Sequence, residues 1–430
     1  MSIETTLDDR TFTQHESQVR SYCRDWPAVF DTAVGSWLTD VDGNRYLDFF
    51  AGAGALNYGH NDPVLKNALV EYIVRDGITH GLDMSTCAKG EFLETFATKI
   101  LAPRGLDYKI QFPGPTGTNA VESALKLARK VTGREAIINF TNAFHGMTLG
   151  SLAVTGNAMK RNGAGVPLVH TTPMPFDGYF DGSVEDFAWF ERVLDDSGSG
   201  FNRPAAVIVE TVQGEGGVNV ARPEWLRGLA DLCKRKEILL IVDDVQMGCG
   251  RTGDFFSFEE AGIIPDIVTL SKSIGGYGLP MALTLIRPDL DVWEPGEHNG
   301  TFRGNNPSFV TATAAINKYW SDDALSVQVK AKGIEIAESF DELCQRHEGL
   351  SHRGRGMVQG LVFEKAELAG RACAIAFSKG LLAETSGPNS EVVKLLPPLT
   401  TTSEDLAHGL AILSESVDQA FNEHFQETNA

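Results

Sequence analysis

The sequence predicts an α/β protein. A large domain holds a mainly parallel mixed sheet flanked by helices, and a smaller α+β domain is built from both termini. Three patterns carry this expectation. From about residue 110, short continuous apolar runs alternate with amphipathic stretches. After about 325 the pattern changes to long helical stretches around short strands. Near the N-terminus, two apolar runs flank Asp42-Gly43, a hairpin-turn signal. The expected units are residues 1–63 (an N-terminal part of the small domain), 64–324 (the large domain) and 325–430 (the rest of the small domain).

In chain order, the first 20 or so residues are polar and loosely held. W-L-T-D-V-D-G-N-R-Y-L-D-F, from Trp37 to Phe49, reads as the hairpin. F-F-A-G-A-G-A follows, with small residues that let a ligand approach the backbone. The runs at 136–140, 205–210, 238–244, 266–271 and 282–287 read as strands buried on both faces. Helices are expected from Thr118 and from Arg222, the second with a proline where a first turn tolerates it. Helices over 326–347 and 404–424 enclose strands near 355–363 and 391–396. Three strands of the large domain end in polar residues: Glu210, Asp243 and Lys272. In such sheets, ligands sit at the carboxyl ends of the strands.

Composition narrows the function. Of 430 residues, 42% are apolar and 22% charged, ordinary values for a globular chain. No stretch approaches the roughly 18 apolar residues of a membrane span. The acidic, polar start lacks the features of a signal peptide, so a cytoplasmic location is expected. The formal charge of −20 argues against nucleic acid and anionic membranes as partners. It serves solubility, or adaptation to a salty or water-stressed cytoplasm. The six cysteines form no C-x-x-C pair and lie near no metal-spaced histidine. Reduced thiols and no metal site are expected.

Several residues at the strand ends can carry chemistry. Lys272, in L-S-K-S-I-G-G, ends a buried run, where desolvation favours a neutral, nucleophilic amine. Taken alone, it reads more readily as a lysine snorkelling to water. Asp243 ends I-L-L-I-V-D-D and can pair with a ring cation, or be an ordinary polar terminus. Gln246, three residues on, is placed to bond a ring hydroxyl. G-P-T-G-T, Gly114 to Thr118, opens a helix whose first amides can cradle an anion; simple capping by Thr118 competes with that reading. Phe144, in Phe144-His145-Gly146, can stack on a ring or fill the core. An amine, an acid, a phosphate cradle and a flat apolar contact are the four parts a pyridoxal 5'-phosphate (PLP) site needs. G-C-G-R-T-G (248–253) matches a dinucleotide fingerprint. It lacks the direct strand-to-helix setting that such a site requires.

The ordered set of motifs, from about Tyr22 to Leu410, closely resembles the class III (omega-amino-acid) aminotransferases of PLP fold type I. The resemblance implies PLP as cofactor. It makes D-D-V-Q the acidic segment, with Asp243 on the pyridine nitrogen, Gln246 on the ring oxygen and Val245 on the ring face opposite Phe144. Lys272, 29 residues after Asp243, becomes the attachment lysine, and Thr301, 29 further, binds the phosphate of a neighbouring subunit. Gly117 and Thr118 match the phosphate cradle, and His145 accompanies Phe144. E-T-V-Q-G-E-G-G aligns Glu210 and Glu215 with family positions. Shared sites imply a homodimer or a higher homo-oligomer.

Two departures stand out. Met147 occupies the place of a family arginine that grips a distal carboxylate, and Lys394 that of an arginine gripping the α-carboxylate. A Glu215–Lys394 gate is therefore expected, aided by Arg303. Segments such as F-F-A-G-A-G-A-L-N-Y-G-H and E-T-S-G-P-N-S-E-V-V-K-L-L-P-P-L-T resemble a branch of the family that feeds ectoine synthesis. That branch implies glutamate and aspartate 4-semialdehyde as substrates. Another omega-aminotransferase, or a racemase or aminomutase on the same fold, is the alternative. A catalytically silent binding protein fits poorly with an intact Lys272 and Asp243.

Overall fold

The computed structural model describes residues 9–180 and 187–429. The N-terminal hairpin forms as expected. Strands β1 (Phe30–Val34), β2 (Trp37–Asp40) and β3 (Arg45–Asp48) form an antiparallel ribbon. Asp40 ties the turn by accepting from the backbone of Asp42 and Asn44.

The large sheet uses β4 (Lys109–Gln111), β5 (Ile137–Phe140), β6 (Thr171–Met174) and β7 (Ala206–Val209). A small ribbon, β8 (Val212–Gln213) with β9 (Asn219–Val220), precedes β10 (Leu239–Asp243), β11 (Ile267–Leu270) and β12 (Leu283–Ile286). The order across the sheet is β4-β12-β11-β10-β7-β5-β6. Strands β6, β5, β7, β10 and β11 run parallel, and β12 is antiparallel to β11 and β4. Every residue of β5, β7, β10, β11 and β12 is buried, which accounts for the unbroken apolar runs.

The helix Gly117–Thr132 packs Ala120, Val121, Ala124, Leu125 and Ala128 inward and ends on Gly133 in the left-handed region (φ 66°). The helix Pro223–Arg235 starts on its proline.

Towards the C-terminus, helices Ala324–Arg346, Ala366–Ser378 and Ser403–Asn429 surround a second sheet. Its strands are β13 (Leu350–Arg355) and β14 (Val358–Phe363), joined by two that follow β15 (Leu381–Leu382): β16 (Glu384–Ser386) and β17 (Val392–Leu395). They pair antiparallel in the order β13-β14-β17-β16. β15 runs parallel to β3, so residues near both ends of the chain share one sheet. Two details differ from the sequence reading. L-S-H-R-G-R forms β13 although it shows no apolar alternation, and the helix at Gly117 is capped from Thr116 and not from Thr118.

The dinucleotide-like G-C-G-R-T-G is a buried turn. A Cβ on Gly250 would meet Trp320 at 2.7 Å, and one on Gly253 would meet Lys330 at 2.8 Å. Arg251 is fully buried and donates to the carbonyls of Met357 and Pro397 and to Asn57 Oδ1. Burial pushes its guanidinium down to about 9. The motif is a tie between chain segments, with no helix following it.

Candidate active site

The carboxyl ends of the parallel strands converge on a cavity of about 180 Å³. Asp243 is the last residue of β10, Glu210 follows β7, Lys272 lies just beyond β11, and Phe144 and His145 follow β5. All five line the cavity, as do Gly117, Thr118, Glu215, Val245 and Gln246. The strand-end placement brings these ten expected residues together.

Lys272 sits in the left-handed region (φ 53°), a strained conformation for a residue with a side chain. Its Nζ donates to the carbonyl of Ala53 at 2.7 Å. Burial lowers its ammonium to about 8, so much of the amine is neutral in mildly alkaline solution. The acceptor comes from an unusual turn. Ala51, Gly52, Ala53 and Gly54 all have positive φ (47°, 60°, 55° and 78°). Four successive left-handed residues are rare, and at Ala51 and Ala53 the Cβ crowds the neighbouring carbonyl. Asp48 Oδ1 steadies the turn by accepting from Phe50 N and Ala51 N, and Ser273 Oγ donates to the Gly54 carbonyl.

Asp243 Oδ2 lies 2.6 Å from His145 Nδ1, and its Oδ1 accepts from Val245 N and Thr269 Oγ1. Glu210 is buried and accepts from Phe144 N at 2.9 Å. Burial, then the charge of Asp243, pushes its carboxyl well up, which favours the protonated form.

At the far side, Lys394 is fully buried, with Nζ 2.6 Å from Glu215 Oε1 and 3.1 Å from Glu384 Oε1. Gln246 Nε2 also donates to Glu215 Oε1, at 3.1 Å, and to the Ala53 carbonyl, at 3.0 Å. Burial alone would raise Glu215; the cations of Lys394 and Lys272 overcome it and hold the carboxyl at about 2. Lys394 is in turn raised, since its two carboxylates outweigh the cost of burial. Sequence reasoning missed Glu384, which stands on a strand of only three residues.

The cavity fits a PLP-sized aldehyde with a phosphate. Gly117 and Thr118 supply the first amides of a helix, which have no intrahelical acceptor. A Cβ on Gly117 would lie 2.8 Å from Val245, and one on Gly146 2.5 Å from Thr118 Oγ1, so neither glycine leaves room for a side chain. A lowered lysine, a fixed carboxylate and apolar walls from Phe144 and Val245 complete the donor set.

Thr301 and Arg303 stand apart. Thr301 is exposed, its carbonyl accepting from His80 Nε2 at 2.8 Å, and Arg303 pairs with Asp83. Arg303 lines a different cavity, with Lys89 and Trp293, so within one chain it does not reach Lys272. Met147 is exposed. A second cavity, of about 430 Å³, adjoins the first and shares Phe144 and Glu215 with it. Lys160 lines it with its ammonium 4.3 Å from the centroid of the Phe144 ring, another residue missed from sequence.

The family model for aminotransferase class-III matches residues 21–417. The chain belongs to the class III aminotransferases. PLP is the cofactor of these enzymes. Among class III relatives, a protein of Nocardia farcinica named diaminobutyrate–2-oxoglutarate transaminase is 68% identical, covering 96% of this chain and 95% of that one. A Streptomyces anulatus protein of the same name is 69% identical, covering 94% and 97%. A third, from Halalkalibacterium halodurans, is 58% identical over 95% and 96%. Among solved structures, the ornithine aminotransferase of Toxoplasma gondii superposes with a TM-score of 0.83 at 25% identity, covering 96% and 95%. Another structure of that protein, crystallized in the presence of oxidized glutathione, is described with partial occupancy of PLP at its active site.

Proposed function

We propose that this class III aminotransferase moves the amino group of L-glutamate to L-aspartate 4-semialdehyde, yielding 2-oxoglutarate and L-2,4-diaminobutyrate. The observation that carries the reading is the Glu215–Lys394 ion pair, whose carboxylate lines the same cavity as Lys272. The shared name of relatives up to 69% identical supports it. The diaminobutyrate formed suits a route to ectoine, and the net charge of −20 suits a salt-stressed cytoplasm.

When bound, PLP supplies an aldehyde for the amine and an electron-withdrawing ring. The chain's own residues supply the rest. Gly117 and Thr118 hold the phosphate, and Asp243, kept in place by His145, holds a proton on the ring nitrogen. Phe144 and Val245 enclose the ring. The lowered Lys272 amine would serve as the base and acid that takes and returns the proton at the substrate Cα. The reaction is ping-pong.

The two substrates make opposite demands. Glutamate brings an α-carboxylate beside its reacting amine; the semialdehyde brings none there. A fixed cation would be stranded by the second, at a cost in a desolvated site. Glu215 closes on Lys394 for the semialdehyde and yields to the glutamate carboxylate. Lysine acts here as a point charge and not as a fork, so its grip is weaker than an arginine's. Lys394→Ala raises KM for glutamate more than for the semialdehyde, and Glu215→Ala harms chiefly the semialdehyde half-reaction. Equal slowing of both half-reactions excludes the gate.

We also read the chain as a homo-oligomer. Val64, Val70, Ile73 and Val74 on the helix Pro63–Val74 are exposed, as are Ile78, Met84 and Phe302 beside Thr301. An apolar face of this kind suits a second copy, with Thr301 reaching the partner's phosphate.

The test is an acceptor panel with glutamate as donor. Preference for aspartate 4-semialdehyde over succinate semialdehyde, with 2-oxoglutarate formed in equal amount, supports the reading. Equal efficiency on both aldehydes rejects it, and absence of 2-oxoglutarate points to a racemase or aminomutase.

A further inference from the structure

We infer that Glu384 sets the strength with which the site grips an incoming α-carboxylate, acting through Lys394 as a fixed second counter-charge. The inference rests on the proposed reading of Lys394 as that grip.

The geometry makes the two carboxylates unequal. Glu215 lines the cavity and follows the short ribbon strand β8, whereas Glu384 lies on β16, directly opposite Lys394 in the antiparallel ladder with β17. Glu384 is 7% exposed and Lys394 0%. Its Oε1 makes the 3.1 Å ion pair without a well-aligned hydrogen bond. Glu215 can therefore swing aside, while Glu384 is carried by the same sheet as the cation it faces.

Counting charges gives the consequence. With the gate closed, one cation faces two carboxylates. When the substrate carboxylate takes the place of Glu215, Glu384 cannot leave, so the incoming anion is repelled by a fixed carboxylate beside the same cation. In a poorly solvated site that extra repulsion weakens binding. A proton taken up by Glu384 relieves it.

The groups facing Glu384 do not relieve it in another way. They are Lys394 on the neighbouring strand, Glu215, Lys272 beyond β11, Tyr22 from the helix Tyr22–Asp25 and Cys373 from the helix Ala366–Ser378. Burial raises Tyr22 and Cys373, so both stay neutral near neutral pH. Burial also lifts Glu384, to about 7, against the pull of Lys394. The carboxyl is thus poised to accept a proton when another anion arrives.

Glutarate tests this, because it carries two carboxylates and no amine to react. Its binding to the cofactor-loaded enzyme is measured by calorimetry from about pH 6 to about pH 8.5, in buffers of different ionisation heat. The expected result is proton uptake on binding and an affinity that falls about three- to tenfold as pH rises across that range. Glu384→Gln binds more tightly, with a flat profile and no uptake, while Glu384→Asp retains both. Lys272 carries the cofactor in all three proteins, so it does not titrate as a free amine in this comparison. Uptake and pH dependence unchanged in Glu384→Gln overturn the inference. If that variant does not fold, a flat profile in Glu384→Asp overturns it instead. Lys394→Met separates the underlying reading: undiminished glutarate binding there removes Lys394 as the grip, whatever Glu384 does.

Discussion

His145 braces Asp243: the imidazole Nδ1 lies 2.6 Å from the carboxylate Oδ2, and both side chains are buried. Thr269 Oγ1 and Val245 N donate to the other oxygen, so the carboxylate is restrained on both of its arms. Asp243→Asn keeps the shape and removes the acid. We expect turnover to fall by about 10²–10³-fold with little change in melting temperature. His145→Ala strips a charge-assisted bond from a buried carboxylate, costing about 1.5–3 kcal/mol of stability with a smaller loss of rate. An undiminished rate in Asp243→Asn removes that residue from the chemistry.

Lys272 carries a pH signature. Its pKa in the folded, cofactor-free protein is about 8, below the ordinary lysine value, because burial disfavours the ammonium. The rate at which cofactor attaches to the apoprotein should climb as pH rises through about 8. The unfolded chain binds the proton more tightly, so apoprotein stability also rises with pH between about 8 and the ordinary lysine range of about 10.4. Lys272→Ala abolishes attachment. Borohydride trapping and peptide mapping check the site, and cofactor found on another lysine refutes the assignment.

Gly117 is closed against Val245, with 2.8 Å between a notional Cβ and Val245 Cγ1. Gly117→Ala should cost about 1–3 kcal/mol through overpacking and weaken cofactor retention. Adding Val245→Ala should recover part of that loss. A double-mutant cycle with no coupling between the positions contradicts the contact.

Lys160 is the cation that lines the adjoining cavity, over the Phe144 ring. Both proposed substrates bring a carboxylate that points away from the reacting carbon: the distal one of glutamate, and the only one of the semialdehyde. Lys160→Met should raise KM for glutamate and for the semialdehyde by about three- to fivefold, a loss near the upper range for an exposed pair, and leave kcat nearly unchanged. Alanine as donor has no second carboxylate and should be unaffected. A matching loss with alanine shows that the substitution acts on structure.

Thr301 can be tested by complementation. Chains carrying Lys272→Ala and chains carrying Thr301→Ala, each impaired alone, should regain partial activity when mixed under conditions that exchange subunits. A fully active monomer at assay concentration eliminates the shared site.

The strands of the large sheet were legible because burial on both faces writes an unbroken apolar run, and a polar residue ending such a run marks the ligand edge. That logic located Glu210, Asp243 and Lys272. The Glu215–Lys394 contact followed from family spacing. Glu384 was hidden because E-T-S-G-P reads as a turn, and its partner comes ten residues later on the next strand. Lys160 carried no signal, being a basic residue in a short polar helix, Ala158–Asn162. Arg251 sat inside a glycine motif whose packing role depends on Trp320 and Lys330, far along the chain. β13 was obscured by its polar composition and by the helical pattern running into it.

The left-handed turn at Ala51–Gly54 bears on how the protein is made. Its Ala53 carbonyl receives Lys272 and Gln246, while Gln246 also holds Glu215, which holds Lys394. The centre therefore spans residues 53 to 394 through direct contacts. A nascent chain leaving the ribosome has the turn early but lacks Lys394 until most of the polypeptide has been translated. Until then Glu215 lacks its direct ion-pair partner. The carboxylate end of the centre is in this way completed last, when the chain is nearly whole.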